Sequence, residues 1–161
     1  MQRVQQKILR TTLQMKNTKY KIIVDTREQK PYWKEGSDVI RKKLDTGDYS
    51  IEGYENKIAI ERKSLSDLYG SLTSGHKRFA RELERSKKLD YFTILIDGSL
   101  TSCANKEFKG SEHTKTKAST IIKILFTLHT KHGINFVFCN GRYESRRYIK
   151  ALFESYLKNR T

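Results

Sequence analysis

Short apolar runs separated by polar turns predict the strands of this chain. Residues 47–52 and 57–63 alternate between apolar and polar positions around a four-residue turn, which predicts a β-hairpin. The other runs that predict strands are residues 21–25, 39–44, 91–96 and 134–139. Two of these strands lead to an acid, because Asp25 closes the first run and Asp97 follows the run at 91–96.

Apolar positions three and four residues apart predict four helices. These helices begin at Ser64 or Ser66, at His76, at Ser119 and after Gly141. The polar residues 98–117 predict a long connection without regular structure. Strands that alternate with helices predict an α/β domain in which helices flank a sheet. We assign this domain to residues 20–161 and a basic N-terminal arm to residues 1–19.

The charge of the chain favours a polyanionic partner. Its 161 residues include 33 Lys and Arg against 18 Asp and Glu, which gives a net charge of +15. Such a charge attracts phosphate groups, and nucleic acid is therefore the leading partner. The same net charge also agrees with a basic surface that serves solubility, or with one that binds anionic membranes.

The distribution of apolar residues argues against export and membrane insertion. No run approaches 18 consecutive apolar residues, so we predict no membrane span. The first 19 residues hold no apolar segment typical of a secretory signal. The two cysteines form no metal or redox motif. We therefore expect a protein that is not secreted and is cytoplasmic, or nuclear in a eukaryote.

The predicted hairpin brings two acids face to face. A turn over residues 53–56 pairs positions whose numbers sum to 109, so Asp48 lies opposite Glu61. Directly opposed carboxylates repel each other, and a cation between them removes that repulsion. Mg²⁺ prefers such oxygen ligands and often takes one or two carboxylates together with phosphate and water.

The same hairpin places a lysine beside these acids. Lys63 shares the face of Glu61 because strand side chains alternate with a period of two. Asp25 arrives at the end of a neighbouring predicted strand. Two or three carboxylates, a metal ion and a lysine suit the hydrolysis of phosphodiester bonds. The alternative interpretation is a charged hairpin that only faces solvent.

Three motifs resemble the nuclease domain of the XPF-type structure-specific endonucleases: VDTRE at residues 24–28, GDY at 47–49 and ERKSLSD at 61–67. The chain is similar to small stand-alone versions of that domain. The resemblance implies a restriction-endonuclease-like α/β core, with a central mixed sheet flanked by helices. It also implies a DNA endonuclease that requires Mg²⁺ or Mn²⁺ and acts on branched, flap or junction DNA in repair, recombination or the processing of viral or mobile DNA.

The resemblance also implies roles for individual residues. The catalytic set is Asp25, Glu28, Asp48, Glu61, Arg62, Lys63 and Asp67. Asp48 and Glu61 are the expected metal ligands, with Asp25 as a third. Arg27 is expected near the scissile phosphate. A non-catalytic DNA-binding module of the same fold and an RNA-processing nuclease are the alternatives.

Further basic side chains extend the expected DNA surface beyond the motifs. The residues that we assign to DNA binding are Arg27, Lys77, Arg78, Arg81, Lys106 and Lys109. For the arginines of the helix that begins at His76, the alternative is pairing with Glu82 and Glu84. Tyr32 and Trp33 suit packing over the sheet better than stacking on a base.

The last predicted helix carries a broad apolar stripe. Its members are Tyr148, Ile149, Leu152, Phe153, Tyr156 and Leu157. The stripe is wide enough to cover the sheet and leave aromatic surface over, so we expect a homodimer. XPF-type nuclease domains pair through this region, and the resemblance points the same way. The alternative is that the whole stripe packs on its own sheet.

Overall fold

The computed structural model of this chain describes residues 19–160. The predicted basic arm, residues 1–19, lies outside the described residues except for Lys19. Within the described part, no helix is long and apolar enough to cross a membrane.

In the part of the chain that the structure describes, six strands form one mixed sheet in the order β2-β1-β3-β4-β5-β6. Their bounds are Ile22–Val24 (β1), Val39–Arg41 (β2), Tyr49–Ile51 (β3), Ile58–Ser64 (β4), Tyr91–Asp97 (β5) and Asn135–Cys139 (β6). Strand β3 runs antiparallel to β1 and to β4, whereas the pairs β1–β2, β4–β5 and β5–β6 are parallel. The long central strand β4 therefore belongs both to the antiparallel hairpin and to the parallel half of the sheet.

Within residues 19–160, five α-helices and one short 3-10 helix lie between and after the strands. The α-helices are Leu65–Leu72 (α1), His76–Ser86 (α2), Leu100–Asn105 (α3), Ala118–His132 (α4) and Arg142–Lys158 (α5), and the 3-10 helix is Ser111–His113. Ser64 begins α1 as predicted, because its hydroxyl accepts a hydrogen bond from the backbone N–H of Asp67. The mixed sheet flanked by helices confirms the predicted fold class.

The sheet buries a separate apolar cluster on each face. On one face, Leu68 of α1, Phe79 of α2 and Ile121 of α4 pack against sheet residues that include Ala59. On the other face, α5 packs against residues that include Ile60. Alternate residues of β4 thus enter different clusters, as the period of a strand requires.

The last helix packs along its own sheet. Ile149 and Phe153 are fully buried there, and the other four residues of the stripe contact the same cluster while partly buried. The stripe therefore serves the core of this chain along its whole length. The homodimer stays a prediction.

Residues 98–117, for which the sequence predicted a connection without regular structure, contain helices. Ser99 begins α3 by accepting a hydrogen bond from the N–H of Ser102. The hydroxyl of Tyr69 donates to the carbonyl of Cys103 at 2.8 Å, and Phe108 packs against the Tyr69 ring. Contacts with α1 thus order residues whose own sequence is polar, and the expectation for residues 98–117 was wrong for this reason.

Candidate active site

One cleft collects most of the predicted site residues. It has a volume of about 610 Å³ and opens beside the hairpin and the first two helices. The predicted residues that line it are Arg27, Glu28, Asp48, Glu61, Arg62, Lys63, Asp67 and Arg78. This cleft is the candidate active site.

The hairpin has the predicted register. Tyr49 pairs with Ile60, which places Asp48 opposite Glu61. The Oδ2 atom of Asp48 accepts a hydrogen bond of 2.8 Å from the backbone N–H of Arg62. Gly47, just before Asp48, has a φ of +82°, and a Cβ there would lie 2.9 Å from the Cβ of Ala59. Glycine therefore allows the close approach that presents Asp48 to Glu61.

Lys63 lies between two carboxylates. Its Nζ atom is 3.0 Å from Oε1 of Glu61 and 3.5 Å from Oε2 of Glu82. Burial lowers the pKa of Lys63, but the two carboxylates outweigh burial and hold the pKa above its usual value. The ammonium therefore stays charged inside the cleft.

Sequence reasoning missed Glu82 as a site residue. Glu82 contacts Lys63, and Glu84 pairs with Lys87, so neither acid pairs with an arginine of α2. The alternative that placed both acids against those arginines is therefore wrong. A signal for Glu82 was available in the sequence. Glu82 follows Phe79 by three residues and so lies on the same face of α2, and Phe79 is buried against the sheet.

Asp48 and Glu61 fit a divalent cation. Burial is the largest cause of a raised pKa at both carboxyls, and neighbouring carboxylates raise the pKa of each further. A cation relieves this repulsion. Residues 19–160 hold no group of three or more His, Cys, Asp or Glu placed around a common metal position. Two oxygen donors fit Mg²⁺ or Mn²⁺ if phosphate and water complete the coordination.

Asp25 holds Arg27 in place. Only 1% of Asp25 is exposed, and its carboxylate accepts from the N–H and Nε of Arg27 at 2.8 Å and from the N–H of Leu44 at 2.6 Å. Burial raises the pKa of Asp25, but these hydrogen bonds outweigh it and keep the pKa below its usual value. Asp25 thus directs the exposed Arg27 side chain to the edge of the cleft.

Arg62 forms a separate network that includes Asp97. Its guanidinium lies 2.6 Å from Oδ2 of Asp97 and 3.3 Å from Oε1 of Glu28. The hydroxyls of Tyr32 and Ser145 donate to the other Asp97 oxygen. Sequence reasoning missed Asp97 as a site residue, although its place after a buried strand was a signal.

The remaining predicted residues lie apart from the carboxylate pair. Asp67 is exposed in the first turn of α1 and is joined to the Ser64 hydroxyl. The Nζ atom of Lys106 donates to the carbonyl of Thr114 at 2.8 Å. Lys77, Arg81 and Lys109 are exposed and do not line the cleft.

The aromatic pair after the first motif packs over the sheet. Tyr32 and Trp33 are buried, and the Tyr32 ring stacks on Tyr49 with centroids 5.4 Å apart. The hydroxyl of Tyr49 accepts from the N–H of Tyr32. The packing interpretation of these rings is confirmed.

Solved structures of similar fold exist. The structure "XPF from Aeropyrum pernix" matches with a TM-score of 0.65 and 22% identity, over 85% of this chain and 65% of that chain. The structure "XPF from Aeropyrum pernix, complex with DNA" matches with a TM-score of 0.64 and 23% identity, over 87% of this chain and 66% of that chain. This chain thus spans just under two thirds of the length of those chains. At these identities, the matches show the fold.

The comparison of sequences with family models extends this result. A search of curated proteins gave no match. The model of the ERCC4 domain, in contrast, matches residues 24–152, which include all three motifs and the complete carboxylate and lysine arrangement. The predicted resemblance and the restriction-endonuclease-like core are therefore confirmed. The chain belongs to the ERCC4 domain family.

Proposed function

We propose that this chain is a divalent-metal-dependent endonuclease that hydrolyses phosphodiester bonds in DNA. The observation that carries the proposal is the opposed pair of Asp48 and Glu61, which are partly buried and line a cleft with Lys63 beside them. Structural hairpins avoid opposed acids, because their repulsion is destabilising. The pair becomes favourable when a cation binds.

The proposal assigns the metal ion to Asp48 and Glu61, which both line the cleft. When bound, Mg²⁺ or Mn²⁺ polarises the phosphoryl oxygen and lowers the pKa of a coordinated water. Asp25, the third expected ligand, supports the site through its hydrogen bonds to Arg27. Glu28 and Arg62 hold one wall of the cleft, and Asp67 lies at its rim.

Two cations of the chain act on the phosphate in this proposal. The Lys63 ammonium lies within the cleft and stabilises the negative charge that develops on the phosphoryl oxygens. Arg27 faces the cleft with its guanidinium held by Asp25, so it is positioned to bind the scissile phosphate.

DNA is the proposed substrate class, and branched, flap or junction DNA the proposed structure. The net charge of +15 supports a nucleic-acid partner, and the similar XPF of Aeropyrum pernix has been solved in complex with DNA. Repair, recombination and the processing of viral or mobile DNA are the proposed settings, in the cytoplasm or a nucleus.

A substrate panel tests the proposal directly. Purified protein with Mg²⁺ is incubated with labelled flap, fork, nicked, linear and RNA substrates, and Asp48→Asn is the matched control. Cleavage of branched DNA by the wild type alone supports the proposal. DNA binding without cleavage by either protein favours the non-catalytic alternative, and preferential cleavage of RNA favours the RNA-processing alternative.

The proposed homodimer has its own test. The mass in solution is measured by light scattering after size exclusion, with and without branched DNA and at raised salt. We expect twice the chain mass of 18.9 kDa, with stronger association at moderate salt because two chains of charge +15 repel each other. A single-chain mass at high micromolar concentration under all conditions contradicts the homodimer.

A further inference from the structure

The cleft has a second half that the carboxylate pair does not use. It extends from Asp48 and Glu61 towards the junction between α1 and α2. The residues that line this half include Gly70, Ser71, Ser74, Gly75 and Arg78. The mechanism proposed above assigns no task to these residues.

The first turn of α2 presents free backbone donors. No side chain caps this helix of 11 residues, and its first turn holds no acid. The N–H groups of Gly75 and His76 donate to carbonyls at the end of α1. Among the described residues, the N–H groups of Lys77 and Arg78 have no acceptor outside their own helix. Such a terminus carries partial positive charge and binds anions.

Ser71 adds an independent observation. Only 8% of Ser71 is exposed, and it lines the same half of the cleft. Its hydroxyl has no hydrogen-bond partner within residues 19–160, whereas the buried hydroxyl of Ser86 donates to a carbonyl at 2.7 Å. Because Ser71 lines the cleft, this unpaired hydroxyl is available to donate to a ligand that enters it.

The backbone brings these donors together. A Cβ at Gly75 would lie 3.0 Å from the carbonyl oxygen of Gly70, so α2 begins in close contact with the end of α1. Arg78 adds a guanidinium to the same wall and forms no ion pair within the described part of the chain. Two acids of these helices are both engaged, Asp67 of α1 by the Ser64 hydroxyl and Glu82 of α2 by Lys63.

We propose that this half of the cleft is a second phosphate subsite, formed by Ser71, Arg78 and the N–H groups at the start of α2. Its ligand is a phosphodiester group of the strand that enters the cleft, adjacent to the scissile phosphate. This inference rests on the proposed function only in that the strand is taken to be the substrate. Two phosphates held in one cleft orient the strand and favour a polynucleotide over a mononucleotide.

Amide NMR spectra test the subsite without cleavage. The wild-type protein, with a chelator in place of divalent metal, is titrated with the trinucleotide d(TpTpT) and separately with inorganic phosphate. We expect shifts concentrated at the N–H groups of Lys77 and Arg78. The variants Ser71→Ala and Arg78→Gln are each expected to bind the trinucleotide about tenfold more weakly, because each removes a donor to a charged group.

Arg85→Gln is the matched control, because Arg85 lies exposed on the same helix, does not line the cleft and is not among the residues assigned to DNA binding. It should bind the trinucleotide as the wild type does. Shifts spread over the basic surface and weakened equally by all three variants would overturn the subsite. Local binding without DNA cleavage would contradict the proposed function but support the subsite. Cleavage without local binding would support the proposed function but contradict the subsite.

Discussion

Strand β4 separates two groups of charged side chains that differ in how completely they are paired. The cleft cluster, on the face of α2, consists of Asp48, Glu61, Lys63 and Glu82. The Arg62 network, on the face of α5, consists of Glu28, Tyr32, Arg62, Asp97 and Ser145. Both groups combine carboxylates with one cation from the same strand.

Their pairing shows which group is suited to chemistry. In the Arg62 network, the guanidinium spans two carboxylates, and hydroxyls occupy the remaining oxygen of Asp97. In the cleft cluster, one ammonium faces three carboxylates, and burial together with repulsion raises the pKa of Asp48 and of Glu61. The Arg62 network is thus fully paired, whereas the cleft cluster keeps an excess of carboxylates that a bound cation would offset.

The largest expected effect concerns the carboxylates of the cleft cluster. Asp48→Asn should lower the cleavage rate in Mg²⁺ about a thousandfold or more, because it removes a metal ligand. DNA binding should be unchanged or tighter, since a carboxylate that repels phosphate is lost. Initial rates and fluorescence anisotropy measure the two quantities. Turnover like that of the wild type would contradict the metal site.

Lys63→Ala should lower the cleavage rate by about a hundredfold or more, because the ammonium acts on the charge of the transition state. Metal affinity, measured by calorimetric titration, should not fall, since the carboxylates stay in place. Lys88→Ala, an exposed lysine that does not line the cleft and is not assigned to DNA binding, is the control. A large loss of metal affinity would mean that Lys63 positions the metal ligands rather than stabilising the charge of the transition state.

Asp97→Asn should break the Arg62 network and lower the free energy of unfolding by about 3 kcal/mol, because it removes a carboxylate from a largely buried guanidinium. Ser145→Ala removes a single hydrogen bond to Asp97 and should cost about 1 kcal/mol. Urea unfolding measures both variants. Equal losses of unfolding free energy in the two variants would show that the Asp97–Arg62 ion pair contributes no more to stability than the hydrogen bond from Ser145.

Glu82→Gln should have the smallest effect, with a cleavage rate less than about tenfold below the wild type. Lys63 keeps its closer contact with Glu61, at 3.0 Å, so its position and charge persist. Glu84→Gln is the control, because Glu84 pairs with the exposed Lys87 on the same helix. A loss as large as that of Lys63→Ala would show that Glu82 takes a direct part in the cleft chemistry.

The hairpin shows how much of the site could be predicted from the sequence. A four-residue turn and a period of two determine which residues face each other, and both are properties of one short stretch. The opposition of Asp48 and Glu61 and the place of Lys63 were therefore predictable. The Ser64 cap of α1 was predictable for the same reason, since cap and helix are adjacent in the chain.

Contacts between distant segments could not be predicted in this way. Asp97 lies 35 residues after Arg62, and only the parallel pairing of β4 with β5 brings their ends together. Glu82 reaches Lys63 only because Phe79 anchors α2 on the sheet. The polar segment after β5 becomes helical through contacts with Tyr69.

The sequence by itself thus determined the motifs, the hairpin register and the α/β class, because turn length and apolar periodicity act over a few residues. The tertiary structure decided which carboxylates are fully paired and which share a single lysine. It placed Asp25 against the N–H of Leu44, Asp97 against Arg62, and Ser71 beside the start of α2. Pairing depends on the distances between side chains of separate elements, and the packing of helices on the sheet sets those distances.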